Sequence, residues 1–155
     1  MFDINVRTPS DEEFLKIANF SFDGFIDELA KSSNESPTVV RERIGSPPIN
    51  RSENDIWLLV EKDKQQIGFM WVQLKPEDKS AFGFDIHLEP EFRSLGIGRH
   101  IMNLCGKKLK DMGIKTVGIC VFEHNEIARK LYDSLGFKIV KFNEQRRQFT
   151  LEISL

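Results

Sequence analysis

The strongest constraint on the fold is a strand-like segment, a helix-like segment and a second strand-like segment in direct succession. The first strand-like segment, AFGFDIHL, begins at Ala81, and the second, KTVGICVF, ends at Phe122. Between them, GIGRHIMNLCGKKLKDMG has apolar residues at helical spacing and ends at Gly113, which is typical of a helix stop. Two strands joined through a helix lie parallel, with a right-handed crossover. The sequence therefore predicts a parallel strand pair at this position.

The segment before this unit predicts a long helical run and a short helix. Ser10 and Glu13 have the S-x-x-E spacing of a capping box, so a helix is expected to begin near Asp11. Apolar residues recur at helical spacing as far as Leu29, and a break into two helices at SFDG is the alternative. Residues 36–45 have the N-cap, proline and final glycine of a short helix, and GSPPINRSEND follows as a predicted loop.

Runs of apolar or alternating residues predict further strands on both sides of the central unit. Three such runs come before the central unit: an alternating start at Ile4 and Val6, then IWLLVEK, then QIGFMWVQL. Short turns between the strands make neighbouring strands antiparallel. A helix, NEIARKLYDSLG, then FKIVKF and the alternating residues from Phe149 to Leu155 close the chain. The predicted fold class is α/β, with a mixed, mostly antiparallel sheet flanked by helices in a single domain covering residues 1–155.

Charge and composition argue against several classes of function. The formal net charge is -2 and the pI is near 6.0, so no basic surface for nucleic acid is expected. No apolar run approaches the ~20 residues that span a bilayer and no leader-like segment is found, so we expect a cytoplasmic protein without a membrane partner. The two cysteines and three histidines show no metal-ligand spacing, which predicts reduced thiols and no bound metal.

A glycine-rich turn connects the first strand of the central unit to its helix. Gly96 and Gly98 leave backbone N–H groups accessible at a helix N-terminus, which favours a phosphate ligand. The alternative is a tight turn in which the glycines serve packing alone. A dinucleotide fingerprint would need glycine at Ile101, and a P-loop would need Gly-Lys-Ser/Thr where the chain has Gly98-Arg99-His100. Another type of phosphate loop is required.

Two motifs in the correct order resemble those of a known enzyme family. RSLGIG, residues 93–98, resembles the Q/R-x-x-G-x-G/A acyl-CoA loop of the GCN5-related N-acetyltransferases (GNAT family), and LEPEF resembles the strand end and proline before that loop. NEIARKLYDSLGF, residues 125–137, resembles the second signature of the family. The resemblance covers about residues 81–140. It implies a GNAT-like fold and transfer of an acetyl group from acetyl-CoA to a primary amine.

The resemblance implies a cofactor site built largely from backbone groups. In this family the strand before the loop splays from its parallel neighbour and pairs with the pantetheine arm, and Ile86, His87 and Leu88 occupy that place. Asn125 is implied to contact the cofactor at the start of the second helix. Acetyl-CoA is the expected cosubstrate, and no metal is required. The residues implied to bind the pyrophosphate are Ser94, Leu95, Gly96, Ile97, Gly98 and Arg99.

Tyr132 is the candidate catalytic acid. It lies seven residues after Asn125, where the family places the group that protonates the departing thiolate. The alternative is a tyrosine that only packs. The chain has 13 Phe and a single Tyr, so it uses phenylalanine where a ring alone is sufficient, which favours a functional hydroxyl.

The sequence leaves the general base open. Some relatives carry a glutamate where this chain has Cys120. Asp85 and His87 are candidates, and strand alternation predicts that their side chains lie on the opposite face from those of Phe84 and Ile86. His87 is equally well read as a structural histidine. A relayed water or prior deprotonation of the acceptor would also serve.

The acceptor is also open. Residues 10–35 contain seven acids and two lysines, a charge that would attract a cationic amine or would simply be a solvated helix face. Small amines, aminoglycoside-like amines and protein amino groups all remain candidates. The alternative function is a non-catalytic module that binds or senses acyl-CoA, and a homodimer is also left open.

Overall fold

The computed structural model describes residues 3–45 and 51–155, which form strands and helices in the order expected from the sequence. Single 3₁₀ turns lie at Pro76–Asp78 and Pro90–Phe92. The elements are β1 Ile4–Arg7, α1 Asp11–Ser33, α2 Pro37–Ile44, β2 Asp55–Lys62, β3 Gln65–Lys75, β4 Ser80–Leu88, α3 Ile97–Asp111, β5 Thr116–Phe122, α4 Glu126–Leu135, β6 Lys138–Asn143 and β7 Gln148–Ser154.

The strands form one mixed sheet in the order β1-β2-β3-β4-β5-β7-β6. Every neighbouring pair is antiparallel except β4 and β5, which are parallel and connected through α3. Both the predicted fold class and the predicted parallel pair are confirmed. A parallel pair must be joined by a crossover, and here α3 is that crossover.

Helix α1 is continuous, so the alternative break at SFDG is wrong. Ser10 and Glu13 form the predicted capping box, and the helix runs from Asp11 through Gly24 to Ser33. A glycine inside a helix costs only about 1 kcal/mol, and the helix has buried apolar residues on both sides of Gly24, among them Ile17 and Ile26. The short helix α2 is confirmed between Ser36 and Gly45. Part of the predicted loop after it, residues 46–50, lies outside the described residues.

The helices cover the two faces of the sheet. On the face that we call the α1 face, Phe14, Ile17 and Ala18 pack on Trp57 and Phe69. On the opposite face, the α3 face, a larger core holds the buried residues of α3 and α4 against the sheet. In the ranges 3–45 and 51–155 no helix combines the length and apolar character needed to cross a bilayer. The members of the larger core include Val60, Met70, Val72, Ile97, Ile101, Leu109, Ile119, Val121, Tyr132 and Phe137.

A β-bulge in β4 changes which side chains face α1. Trp71 pairs with Asp85 and Val72 pairs with Gly83, so Phe84 is the extra residue of the bulge. The ring of Phe84 stacks on Trp71, with 4.4 Å between ring centroids, which places it on the α1 face. The prediction that Phe84 and Asp85 lie on opposite faces is therefore wrong, because the bulge interrupts the alternation between them.

Candidate active site

The parallel pair opens into a gap at its carboxyl end. β4 and β5 pair only through residues 80–83 and 116–119, with Gly83 opposite Ile119 as the last pair. β4 continues to pair with β3 as far as Leu88. We call the opening between residues 84–88 of β4 and residues 120–122 of β5 the strand gap. The splay implied by the sequence resemblance is confirmed, and the gap leaves one backbone edge of β4 free of β5.

Gly68 allows β3 to approach the gap-lining part of β4 closely. A Cβ at Gly68 would lie 2.1 Å from the carbonyl oxygen of His87, a distance that no side chain tolerates. The sequence analysis did not single out this residue, although a glycine inside a strand is a known sign of close backbone approach. Gly68 therefore helps to fix the position of His87 and Leu88.

The loop after β4 adopts a conformation that turns its backbone toward α3. Ser94 and Gly96 both have left-handed backbone conformations, with φ of 59° and 82°. Arg93 donates from Nε to the carbonyl oxygen of Leu88 at 2.8 Å, which ties the loop to the end of the strand. Left-handed residues of this kind form concave arrangements of N–H groups that bind anions. Leu95, between them, is 56% exposed.

The N-terminus of α3 presents unpaired backbone donors at the mouth of the strand gap. Gly96 is the N-cap and supplies no side-chain acceptor, and the first intrahelical bond runs from His100 N to Gly96 O. Among the residues that the structure describes, no acceptor pairs with the N–H groups of Ile97, Gly98 and Arg99. These donors and the helix dipole fit a diphosphate. Ile97 is buried, so only its backbone is available to a ligand.

Helices α3 and α4 are joined beside this loop. Arg99 donates from Nη2 to Ser134 Oγ at 2.5 Å, so its side chain is engaged by α4. Asn125 is the N-cap of α4, and its Oδ1 accepts from the N–H of Ala128 at 3.3 Å. Of the predicted cofactor residues, Asn125 is thus placed at a helix start, as expected, but its side-chain oxygen already serves the helix.

Tyr132 projects from α4 into the α3-face core. It is 8% exposed, and its ring packs edge-on against Phe137 with 5.8 Å between centroids. Burial, with a smaller effect from the charge of Asp85, raises the pKa of Tyr132 to about 12. Within residues 3–45 and 51–155 its hydroxyl has no hydrogen-bond partner. The hydroxyl is therefore a protonated donor within electrostatic range of β4.

Asp85 lies on the α1 face, two residues after Gly83, where the pairing of β4 with β5 stops. We call this point the closed end of the strand gap. Its Oδ2 accepts a hydrogen bond from Ser21 Oγ of α1 at 2.6 Å. Burial raises the pKa of Asp85, and the Ser21 hydrogen bond opposes that rise. Ser21 was not identified from the sequence, because nothing local distinguishes it from a packed helix residue.

His87 has a different environment from Asp85, although both face α1. Its ring lies against Phe20 and Phe69, with centroid distances of 4.6 and 5.4 Å. Its Nε2 is buried without a hydrogen bond to any described residue, and Glu89 Oε1 lies 3.7 Å away. Burial lowers the pKa of His87. The ring is thus packed among aromatic side chains. The backbone of His87 points to Phe69 of β3, because the N–H of Glu89, two residues further on, donates to Ile67 O and the His87 carbonyl oxygen lies beside Gly68. The backbone groups that face the strand gap are therefore those of Ile86 and Leu88.

The acidic residues of α1 are largely neutralised. Six of the seven acids between Ser10 and Glu35 contact a basic side chain, and within the described ranges only Asp27 lacks such an ion pair. The interpretation of this helix as a field that attracts cations is therefore not supported. The pairs are Asp11–Arg51, Glu12–Lys16, Glu13–Arg7, Asp23–Arg41, Glu28–Lys31, Glu28–His124 and Glu35–Arg43.

Cys120 is the residue that departs from the family pattern on β5. It pairs with Thr150 of β7, and its Sγ lies 3.5 Å from Thr150 Oγ1. Both cysteines are free thiols. Across the described part of the chain, no group of three or more His, Cys, Asp and Glu side chains is arranged to hold a metal ion.

Comparison with known proteins identifies the family. The model of the acetyltransferase (GNAT) family matches residues 23–137, which is well over half of the chain. The chain therefore belongs to the GNAT family, and it is an acetyltransferase that uses acetyl-CoA as cosubstrate.

Individual relatives agree with this assignment. The N-acetyltransferase YycN of Bacillus subtilis (strain 168), which is named as uncharacterized, is 25% identical over 136 residues, covering 82% of this chain and 87% of YycN. A mycothiol acetyltransferase of Thermomonospora curvata is 38% identical over 80 residues, which cover 51% of this chain and 26% of that enzyme. The chain therefore matches about a quarter of the mycothiol enzyme.

Solved structures share the whole fold. The YycN crystal structure superposes with a TM-score of 0.79 at 22% identity, covering 90% of this chain and 95% of YycN. The PaiA N-acetyltransferase of Thermoplasma acidophilum, solved in complex with coenzyme A, superposes with a TM-score of 0.74 at 21% identity over 99% of both chains. The architecture of this chain is thus the GNAT architecture from end to end.

Proposed function

We propose that the chain transfers the acetyl group of acetyl-CoA to a primary amine bound on the α1 face, beside the closed end of the strand gap. The observation that carries this proposal is the placement of two titratable groups near that end. Asp85 faces α1, Tyr132 projects from the opposite face, and the charge of Asp85 contributes to the raised pKa of Tyr132. A proton acceptor and a proton donor are what transfer from a thioester to an amine requires.

The cofactor would be held mainly by backbone groups. The edge of β4 over residues 86–88 that β5 leaves free supports pairing with the amides of the pantetheine arm, through the backbone groups of Ile86 and Leu88, since those of His87 point to β3. The N–H groups of residues 94–99 support binding of the pyrophosphate, because they converge at a helix N-terminus with left-handed residues before it. Asn125 would contribute its side-chain nitrogen, since its oxygen caps α4.

We assign the proton acceptor to Asp85 and the proton donor to Tyr132. As the amine nitrogen bonds to the carbonyl carbon and the C–S bond breaks, Asp85 takes the proton from nitrogen and Tyr132 gives its proton to sulfur. Burial raises the pKa of both groups, so Asp85 is a better base than an exposed aspartate and Tyr132 keeps its proton. Solvent then restores both groups. His87 is less suited, because its ring is packed between Phe20 and Phe69.

The second candidate function is a domain that binds acyl-CoA without turnover. Its support is Cys120, which stands where some relatives carry a glutamate. The two functions differ in whether an amine releases free thiol from acetyl-CoA. The protein is incubated with acetyl-CoA and a panel of amines, free thiol is followed over time, and the acetylated product is identified by mass. Tight binding of CoA with no thiol released by any amine, up to mildly alkaline pH, would support the binding module.

We also propose that residues 1–155 form one acetyltransferase domain with its acyl-CoA core at about residues 81–140, acting in the cytoplasm. Two free thiols fit a reducing compartment. A net charge of -2 argues against nucleic acid as a partner. The amine can belong to a small molecule or to a protein, and a homodimer is compatible with this arrangement.

A further inference from the structure

A stack of three aromatic rings ends in solvent beside Asp85. Phe84 stacks on Trp71 with 4.4 Å between centroids and 23° between planes, and Trp71 stacks on Trp57 with 4.5 Å and 14°. The Nε1 of Trp71 donates to Asp55 Oδ1 at 3.0 Å, which fixes its orientation. Trp57 is buried, whereas Phe84 is 47% exposed. The stack is therefore a fixed aromatic surface whose outer ring is Phe84.

The outer ring lies next to the place where the reaction is proposed to occur. Phe84 follows Gly83, the last residue of β4 that pairs with β5, and precedes Asp85. On the helix opposite, Phe20 is 52% exposed and precedes Ser21, the hydrogen-bond partner of Asp85. Two half-exposed phenylalanines thus adjoin the two partners of this hydrogen bond.

The charge on this side of the molecule does not favour a polycation. The acids of α1 are mostly held in ion pairs, whereas Asp85 forms no ion pair with a basic side chain of the described residues, and its Oδ2 accepts from the neutral hydroxyl of Ser21. An exposed aromatic surface beside one carboxylate fits a ligand that has one amino group and a flat apolar body. Burying such a body against Phe84 removes apolar surface from water, and ring stacking adds to that gain.

We infer that the acceptor is a primary amine carrying an aromatic or flat apolar group, which stacks on Phe84 while its amino group lies at Asp85. This inference rests on the proposed function, because it takes the α1 face as the acceptor side. It goes further by naming the chemical class of the acceptor and Phe84 as the residue that selects it.

The inference is tested with amines that differ in their apolar body. kcat/KM is measured for 2-phenylethylamine, ethanolamine and spermidine with saturating acetyl-CoA. A second readout is independent of turnover, because the only two tryptophans of the chain, Trp57 and Trp71, both belong to the stack. Intrinsic tryptophan fluorescence is therefore titrated with each amine in the presence of CoA. We expect a saturable change with 2-phenylethylamine and a preference for it of about tenfold or more in kcat/KM.

Variants assign the preference to the ring. Phe84→Ala should reduce the ratio of kcat/KM for 2-phenylethylamine over ethanolamine by about tenfold, with acetyl-CoA affinity unchanged. Phe84→Leu keeps an apolar side chain without the flat ring and serves if the alanine variant folds poorly. Ile139→Ala is the matched control, since Ile139 is 60% exposed on the edge strand β6, three strands from β4. It should leave the ratio unchanged.

The outcomes separate the inference from the proposed function. If the protein acetylates amines but prefers spermidine or ethanolamine, the inference is overturned and the proposed function remains. The same holds if the ratio of kcat/KM for 2-phenylethylamine over ethanolamine is unchanged in both Phe84 variants. A saturable fluorescence change that requires Phe84, without thiol release, supports the aromatic site and overturns the proposed turnover. No fluorescence change and no preference for 2-phenylethylamine overturns the inference directly. Acetylation of peptide N-termini that lack an aromatic side chain, together with no acetylation of 2-phenylethylamine, also overturns the inference.

Discussion

The hydroxyl of Ser21 donates a 2.6 Å hydrogen bond to Oδ2 of Asp85, joining the middle of α1 to the strand that borders the gap. The two residues are 64 positions apart in the chain. Because the bond stabilises the ionised form of a carboxylate whose pKa burial raises, it controls the protonation of the group that we propose as proton acceptor. It also holds α1 against the face where the acceptor is expected to bind.

Removing this bond should move the pH dependence of the reaction. Asp85 must be ionised to accept a proton, so activity is present above its pKa and falls as the pH drops through it. Ser21→Ala removes a hydrogen bond that lowers this pKa, so the acidic limb of the kcat/KM profile should move to higher pH. Ser33→Ala is the control, since Ser33 near the end of the same helix donates to Leu29 O at 2.8 Å and has no hydrogen bond to Asp85.

If the acidic limb of the kcat/KM profile lies at the same pH in Ser21→Ala as in the parent, the proton acceptor is a group other than Asp85. Asp85→Asn gives an independent check, because the amide cannot accept the proton. We expect a loss of about 10²- to 10⁴-fold in kcat with acetyl-CoA affinity retained. A loss of less than about threefold, with the chemical step limiting, would leave prior deprotonation of the amine as the route.

Replacing Tyr132 by Phe should separate catalysis from packing. The ring and its contact with Phe137 remain, so the melting temperature and acetyl-CoA affinity should stay near those of the parent. Turnover should fall by about 10²- to 10⁴-fold if the hydroxyl protonates the thiolate. Phe137→Leu is the packing control, and it should lower the melting temperature without a comparable loss of turnover.

The pH profile gives a second test of Tyr132. Since burial raises its pKa to about 12, the hydroxyl should remain protonated well into alkaline solution. The parent should therefore keep its turnover between about pH 8 and pH 10, where an ordinary tyrosine begins to ionise. If the chemical step limits the rate and the turnover of Tyr132→Phe is less than about threefold below that of the parent, the proton comes from water or another group.

Gly98→Val should weaken CoA binding by about tenfold or more without unfolding the protein. A Cβ at this position would lie 3.6 Å from Leu131 Cδ2 and 3.9 Å from Leu88 Cδ1, which are ordinary contacts. The branched side chain would instead crowd the backbone N–H groups at the start of α3, where the pyrophosphate is proposed to bind. Gly106→Ala, in the same helix, is the control, since a Cβ there would lie 3.9 Å from Leu155 Cδ2, an ordinary contact. Equal calorimetric affinity in the Gly98 variant and the parent would show that the glycine serves the turn alone.

Stability in acid should depend on Glu13. Hydrogen bonds from Arg7 and from the Ser10 backbone lower the pKa of Glu13 from 4.5 to about 2. The stabilisation is therefore complete above about pH 4.5 and is lost as the pH falls toward 2. Glu13→Gln should flatten the fall of the melting temperature across this window. The control is Glu12→Gln, at a neighbouring exposed site where the carboxylate lies 3.7 Å from Lys16. Its melting temperature should fall with pH as steeply as that of the parent.

The element order and the loop followed from the sequence because their signals are local. The capping box at Ser10 and Glu13, the glycine stop after α3 and the strand-helix-strand unit depend on residues a few positions apart. The same holds for Gly96, whose left-handed conformation opens α3. Local preference at SFDG was misleading, because tertiary burial of α1 outweighs the cost of Gly24 within a helix.

Contacts between distant segments decided the rest of the candidate site. The bulge at Phe84 arises from the register of β3 against β4. It places the ring of Phe84 on the α1 face, where strand alternation did not predict it. The partner of Asp85 comes from α1, and Glu13 and Asp23 of α1 pair with Arg7 and Arg41 from other segments of the chain. The sequence by itself determined the elements and the phosphate-binding turn, since these depend on local backbone preferences. Only the tertiary structure decided which side chains meet at the end of the strand gap, because pairing register and helix docking are set by burial over the whole sheet.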